Sequence, residues 1–178
     1  VAMKIFSTKI LHKTDVGGVK LNLTSAEQVR DSYNAMLEQV RSHVGDETEI
    51  WGVLIQKMIG GGKETILGLT RDPKFGPMLM FGLGGIYTEA LRDVSFRLAP
   101  INERSAKVMV QSIRAAKLLE GVRGEAPADT DAIAENLQRL SQLVTDHASI
   151  RELDINPLMV FDKGQGAMVA DARIILDA

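Results

Sequence analysis

Glu152-Leu153-Asp154-Ile155-Asn156-Pro157 alternates polar and apolar residues, the period of a β-strand with one wet and one buried face. Glu152, Asp154 and Asn156 share a face, while Leu153 and Ile155 point to the core. The following strand alternates too, with Val169, Asp171 and Arg173 on one side. A two-residue turn at Lys163-Gly164, or a four-residue loop from Asp162 to Gln165, puts Asn156 opposite Asp171 and Asp154 opposite Arg173. A three-residue loop shifts the register by one and separates the faces. In the first register an Asn carbonyl and an Asp carboxylate converge across the ribbon. Such oxygen donors suit Mg²⁺, which keeps waters and nucleotide phosphates as its other ligands. The plainer reading is a solvated sheet face with one Asp–Arg pair.

Other strands read outward from this ribbon. Val19, Leu21 and Leu23 alternate, and strand-like runs span Ile50 to Met58, Glu64 to Leu69, Met78 to Phe81 and Val94 to Leu98. Three helical stripes separate them. Thr24-Ser25-Ala26-Glu27 reads as a capping box for the first, which carries Val29, Tyr33, Met36, Val40 and Val44 and ends at Gly45-Asp46. Asn102 caps a second with Ala106, Met109, Ile113 and Ala116 on one face. Asp129 or Asp131 caps a third with Ile133, Leu137, Leu140 and Val144. The polar stretch Gly121 to Pro127 is a loop. The glycine-rich connections join strand to strand rather than strand to helix, which argues against Rossmann and P-loop sites. The expected class is α+β, with mostly antiparallel sheets and flanking helices.

The 178 residues suffice for one domain or two small lobes. With a net charge of −2, nothing in the sequence resembles a basic nucleic-acid footprint or a polybasic membrane patch. No apolar run reaches the ~20 residues of a membrane helix. There is no cysteine, so disulfides, thiolate metal sites and cysteine catalysis are excluded, and a cytoplasmic protein is expected. Val1-Ala2-Met3-Lys4-Ile5 already reads as a strand, so a piece of a longer polypeptide is expected.

Chemistry concentrates in Leu11-His12-Lys13-Thr14-Asp15-Val16-Gly17-Gly18-Val19-Lys20. Gly17 and Gly18 allow backbone N–H groups close to an anion, the lysines offset phosphate charge, and His12 can carry a phosphoryl group. His43 and His147 fall near helix C-termini, where they complement the dipole. Lys4 and Lys20 must reach solvent, an acid or a ligand phosphate. Gly84 and Gly85 lie in a second glycine loop, Gly82 to Gly85 followed by Glu89; a glycine cluster is more often a turn than a ligand site. Gln56, Lys57, Met58 and Ile59 end a strand where the chain could hinge between lobes, with backbone groups able to bond an adenine edge.

Taken in order, Lys4, the Leu11–Lys20 stretch, Thr70-Arg71-Asp72-Pro73-Lys74-Phe75-Gly76-Pro77, Phe81-Gly82-Leu83-Gly84-Gly85, Leu119-Glu120-Gly121-Val122-Arg123-Gly124 and Glu152 to Pro157 resemble the ATP-grasp part of ADP-forming acyl-CoA synthetases. These include acetate–CoA ligase (ADP-forming) and are similar to the β subunit of succinyl-CoA synthetase. The resemblance implies an ATP-grasp fold lacking the start of its N-terminal lobe, with residues 1–57 the remainder of the first nucleotide-binding lobe and 58–178 a second lobe bearing the metal hairpin.

It also implies the reaction acyl-CoA + ADP + phosphate ⇌ carboxylic acid + CoA + ATP, with ATP/ADP and Mg²⁺ as cofactors. His12 matches the histidine that relays the phosphoryl group to ADP, on a loop that swings between sites. That relay places the chain on the acetate-type branch. Asp154 would contact the phosphohistidine, and Asn156 and Asp171 would ligate Mg²⁺. Lys4 and Lys20 would touch ATP phosphates, Gln56 to Ile59 would meet adenine, and Glu64 would reach the nucleotide. The implied partner is a CoA-binding region or subunit of the same synthetase, which brings the acyl-CoA, in a full-length protein expected to be oligomeric. No nucleic-acid or membrane partner is expected. The alternative is a non-catalytic, synthetase-like regulatory region of a bacterial protein lysine acetyltransferase.

Overall fold

The computed structural model describes residues 1–10, 12–85, 92–122 and 124–177. Leu11, Glu89 and Arg123 of the motifs above therefore lie outside the described residues. Two compact units, Val1–Gly60 and Gly61–Ala178, divide the chain within the run Gly60-Gly61-Gly62.

The first unit holds strand β1 (Ala2–Phe6), β2 (Val19–Lys20), helix α1 (Ala26–Val44) and β3 (Gly52–Gln56). The strands form an antiparallel sheet in the order β2-β1-β3. Strand alternation sends Met3 and Ile5 to one face, where they meet Met36 and Val40 of α1 and Ile10 of the β1–β2 loop. Burying each such side chain contributes about 1.5–3 kcal/mol.

Two expectations shift here. The α1 cap is Ser25, not Thr24: Ser25 Oγ accepts from Gln28 N–H at 3.1 Å, and Gln28 Oε1 accepts from Thr24 N–H at 2.9 Å. Glu27 takes no part in that exchange because the box runs from Ser25 to Gln28. The strand expected through Leu23 stops at Lys20. Asn22 adopts φ 59°, a left-handed turn that asparagine tolerates, and Leu23 then pairs with Val1 one position out of register.

The second unit contains β4 (Lys63–Asp72), β5 (Gly76–Leu83), β6 (Val94–Leu98), α2 (Glu103–Gln111), a 3₁₀ turn (Arg114–Glu120), α3 (Thr130–Asp146), β7 (Ile150–Val160), β8 (Ala167–Val169) and β9 (Ala172–Leu176). Its six-stranded sheet runs β6-β5-β4-β7-β8, with β9 also on β7, and its strand pairs are antiparallel. Leu67, Leu69, Leu79, Phe81, Leu153 and Leu158 face Ala106 and Met109 of α2 and Ile133, Leu137, Leu140 and Val144 of α3 in one core.

The second helix is shorter than its apolar stripe suggested. It stops at Gln111, and Ile113 and Ala116 fall outside it. The reason is a distant carboxylate: Asp93 accepts from Arg114 N–H at 2.8 Å and Ala115 N–H at 2.7 Å. Those amides would otherwise bond carbonyls four residues back and continue the helix. Gly82 and Leu83, expected in a loop, belong to β5. Among the described residues no helix is long and apolar enough to cross a membrane.

Candidate functional site

The β7–β8 turn settles the ribbon. Gln165 N–H donates to Asp162 C=O at 2.8 Å and Phe161 N–H to Gly166 C=O at 3.0 Å. Counting back from that closure gives Val160↔Ala167, Leu158↔Val169, Ile155↔Ala172 and Asp154↔Arg173. Asn156 and Asp171 fill the rung between, where Asn156 N–H donates to Asp171 C=O at 3.0 Å. In this register Asn156 and Asp171 are backbone neighbours across the ribbon. The second ribbon strand is interrupted at that rung, between β8 and β9, and Asp171 Oδ1 accepts from Ala172 N–H at 3.1 Å.

On its other edge β7 carries an extra residue. Thr65 faces Leu158 and Leu67 faces Ile155, so β7 advances three residues where β4 advances two. The bulge holds Asn156 and Pro157 and changes the phase of alternation, so that Leu153, Ile155, Leu158 and Val160 all reach the core. Glu152, Asp154 and Arg173 lie on the face turned from the helices. With Thr70, Met80 and Phe96 they border a concavity of about 250 Å³.

The donor set at Asn156 and Asp171 is a carboxamide oxygen and a carboxylate. Among the described residues no three His, Cys, Asp or Glu side chains converge as a metal site. A fully protein-ligated zinc centre is therefore not built from these residues. Two hard oxygen donors fit a Mg²⁺ that keeps water and phosphate as its remaining ligands.

In the first unit His12 is exposed, in the loop between β1 and β2. The glycine pair beside it has packing duties. Gly17 has φ 71°, and a Cβ there would lie 2.3 Å from Gln39 of α1. A Cβ on Gly18 would lie 2.6 Å from Ile5 Cγ2. Their N–H groups donate to Thr14 C=O at 3.0 Å and Lys13 C=O at 2.7 Å, so in this conformation they serve the turn rather than an anion cradle.

The two lysines part company. Met3 pairs with Lys20, so Lys20 stands on the α1 side, where its Nζ donates to Gln39 Oε1 at 3.3 Å. Lys4 lies on the opposite face of the sheet and is only 9% exposed. Gln56 forms the last rung of β3, against Ala2, and Lys57, Met58 and Ile59 follow outside any strand. In the second unit Glu64 is exposed, and its alternation puts it on the face of Gly68 and Thr70. Its C=O accepts from Gly84 N–H at 2.8 Å, and a Cβ on Gly84 would lie 2.7 Å from Glu64 Cβ. Gly85 follows with φ 62° in open space.

Two residues do more than sequence reading assigned to them. Arg71 donates to Val144 C=O in the last turn of α3 at 2.9 Å and to Ile150 C=O at the start of β7 at 3.1 Å, so it ties the helix end to the strand that follows. Asp129 caps α3 through Ala132 N–H at 3.1 Å, as expected of one of the two candidate caps, but it also reaches the ribbon turn. Nothing in local spacing reveals either contact, since partners lie 35 to 79 positions away.

Comparison with known proteins agrees with this architecture. A family model described as an ATP-grasp domain matches residues 1–176. The β subunit of acetate–CoA ligase [ADP-forming] II from Pyrococcus furiosus is 49% identical over 177 residues, covering 99% of this chain and 75% of that one. The 4-hydroxybutyrate–CoA ligase [ADP-forming] of Nitrosopumilus maritimus is 49% identical over 174 residues, 98% of this chain but only 25% of the ligase. This chain thus spans a quarter of that relative's length.

Among solved structures, the dinucleotide-forming acetyl-coenzyme A synthetase 1 of Candidatus Korarchaeum cryptofilum, in complex with coenzyme A, Ca-AMPCP and HgCl⁺, superposes with a TM-score of 0.92. It is 46% identical, over 99% of this chain and 76% of that one. A second structure of that synthetase, with coenzyme A and Mg-AMPPCP, has its phosphohistidine segment pointing towards the nucleotide binding site. It gives a TM-score of 0.80 at 43% identity, over 99% and 76%. With its antiparallel sheets, flanking helices and near full-length match, the chain belongs to the ATP-grasp domain family, in the group that includes the β subunits of ADP-forming acetate–CoA ligases.

Proposed function

We propose that this chain is the nucleotide-binding, phosphohistidine-relay module of an ADP-forming acyl-CoA synthetase. The whole enzyme would convert acyl-CoA, ADP and phosphate to carboxylic acid, CoA and ATP. A CoA-binding partner region exchanges the thioester for an acyl phosphate, releasing CoA. The phosphoryl group passes by way of a histidine there to His12, and the carboxylate leaves. A nitrogen–phosphorus bond at His12 then breaks as an oxygen of the ADP β-phosphate takes the group. The observation that supports this most is the ribbon rung that sets Asn156 opposite Asp171, two rungs from Asp154 and Arg173.

Each residue has a proposed task. His12 is exposed on its loop, as a group that must be reached by two partners requires. Asp154 orients the phosphorylated imidazole and stabilises its charged form. Lys4 and the segment Gln56 to Ile59 would serve the nucleotide, and Glu64 and the Gly84-Gly85 turn are further candidates for that task. Lys20 would have to leave Gln39 to reach a phosphate. Mg²⁺, held through Asn156 and Asp171, would offset charge on the phosphate oxygens, where most of the catalysis of phosphoryl transfer lies.

The test is labelling of the full-length protein with ATP carrying a labelled γ-phosphate, in the presence of Mg²⁺. An acid-labile, base-stable phosphate is expected on wild type and absent from His12→Ala. Label that persists in His12→Ala, or none on wild type that binds MgATP, rejects the relay and favours the regulatory alternative.

A further inference from the structure

The turn that sets the ribbon's register is held from outside the ribbon. Residues 127–129 run beside it: Lys163 N–H donates to Pro127 C=O at 2.8 Å, Asp129 N–H donates to Phe161 C=O at 2.9 Å, and Ala128 bridges to Asp162. Asp129 is buried, with 8% of the residue exposed, and its carboxylate divides its two oxygens. Oδ1 accepts from Ala132 N–H at the start of α3. Oδ2 accepts from both Gly164 N–H at 3.0 Å and Gly166 N–H at 2.9 Å. Both glycines have positive φ, 83° and 80°, which turns their amides toward one point.

We propose that Asp129 is a positioning residue for the metal ribbon: it clamps the β7–β8 turn on either side of Gln165 and so fixes the rung on which Asn156 meets Asp171. A turn displaced by one residue could not present the same pair of amides to Oδ2. Such a slip would also turn Asp171 to the other face of the ribbon. Asp129 acts through the backbone of Gly164 and Gly166 rather than by touching a ligand. Its carboxyl is held below the ordinary carboxylate range chiefly by the Gly166 amide, with Ala132, Gly164 and Asp131 amides adding and burial opposing, which agrees with a charged clamp. The functional half of the proposal rests on the Mg²⁺ reading of Asn156 and Asp171.

Asp129→Asn separates the two duties. Asparagine keeps one oxygen for the helix cap but cannot accept with both positions, so the turn amides lose their partner. The experiment follows hydrogen exchange and the Mg²⁺ requirement of His12 labelling in the full-length protein, for wild type, Asp129→Asn and Asn156→Ala. In Asp129→Asn, ribbon amides from Phe161 to Ala170 should exchange about tenfold faster while α3 stays protected. The Mg²⁺ concentration for half-maximal labelling should rise about tenfold, as loss of an outer support does at metal sites. Asn156→Ala should raise the Mg²⁺ requirement with ribbon exchange unchanged. Wild-type exchange in Asp129→Asn overturns the proposal. So does faster exchange with an unmoved Mg²⁺ requirement when Asn156→Ala shifts it. A requirement unmoved by Asn156→Ala overturns the metal reading itself, and the proposal with it.

Discussion

Gly17 and Gly18 are adjacent, yet each is required for a different reason. Gly17 sits at φ 71°, where a Cβ costs about 1 kcal/mol, and its crowding partner is the far end of the Gln39 side chain, which can move. Gly18 has no such dihedral, but its Cβ would press on Ile5, a fully buried side chain of the first core, and on Lys13 C=O at 2.9 Å. Neither neighbour can retreat without disturbing β1 or the turn. Gly18→Ala should therefore destabilise the protein by about 1–3 kcal/mol and Gly17→Ala by about 1 kcal/mol, read as shifts in denaturant midpoint. Equal losses would mean that flexibility, not packing, sets both positions. Arg71 and Asp72 make the same point in another motif. Arg71 holds the end of α3, while Asp72 Oδ1 accepts from Lys74 and Phe75 N–H at 2.8 and 2.9 Å in the β4–β5 turn. Motif residues that look chemical can be structural.

At the scale of elements, capping distinguishes the two readings of α1. The Thr24-to-Glu27 box and the observed Ser25-to-Gln28 box differ by one residue, and both spacings suit the motif. The choice between them came from where the chain turns after Asn22. Ser25→Ala should cost about 1 kcal/mol, whereas Glu27→Ala should cost under about 0.5 kcal/mol, since it retains only a first-turn dipole contribution. Thermal melts of the two variants check this, and a larger loss for Glu27→Ala would restore the earlier box. The ribbon is a parallel case. Its alternation and turn residues narrowed it to two registers, one for a two- or four-residue loop and one for a three-residue loop, and the observed turn selects the first. The bulge at Asn156-Pro157 was not legible, because it exists only relative to β4, which lies some 90 positions away.

For the whole molecule, acid stability follows from its carboxylates. Asp129 is held below its ordinary value chiefly by the Gly166 amide, and Glu125 by its hydrogen bond and ion pair with Lys63 at 2.6 Å. A carboxyl with a depressed folded value contributes stability above its unfolded value, and that contribution disappears as pH falls through the folded one. Denaturant midpoints should thus decline below about pH 5 and continue to fall towards about pH 3, with a shallower slope in Asp129→Asn. A parallel slope in the variant would show that Asp129 is not a contributor. The exposed Glu125 pair should add little, and that little should weaken with salt.

Local pattern alone determined the antiparallel α+β class and the presence of three helices, narrowed the ribbon to two registers, and offered His12, Asp154, Asn156 and Asp171 as a candidate group. These follow from periods of two and 3.6 residues and from residue chemistry, both of which are properties of neighbours in the chain. Tertiary structure alone decided the strand order β6-β5-β4-β7-β8, the early end of α2 under Asp93, the opposite faces taken by Lys4 and Lys20, and the hold of Asp129 on the ribbon turn. Each of these depends on pairings between distant segments, selected by the joint burial of apolar faces, and no local period encodes which distant partner a strand or carboxylate will meet.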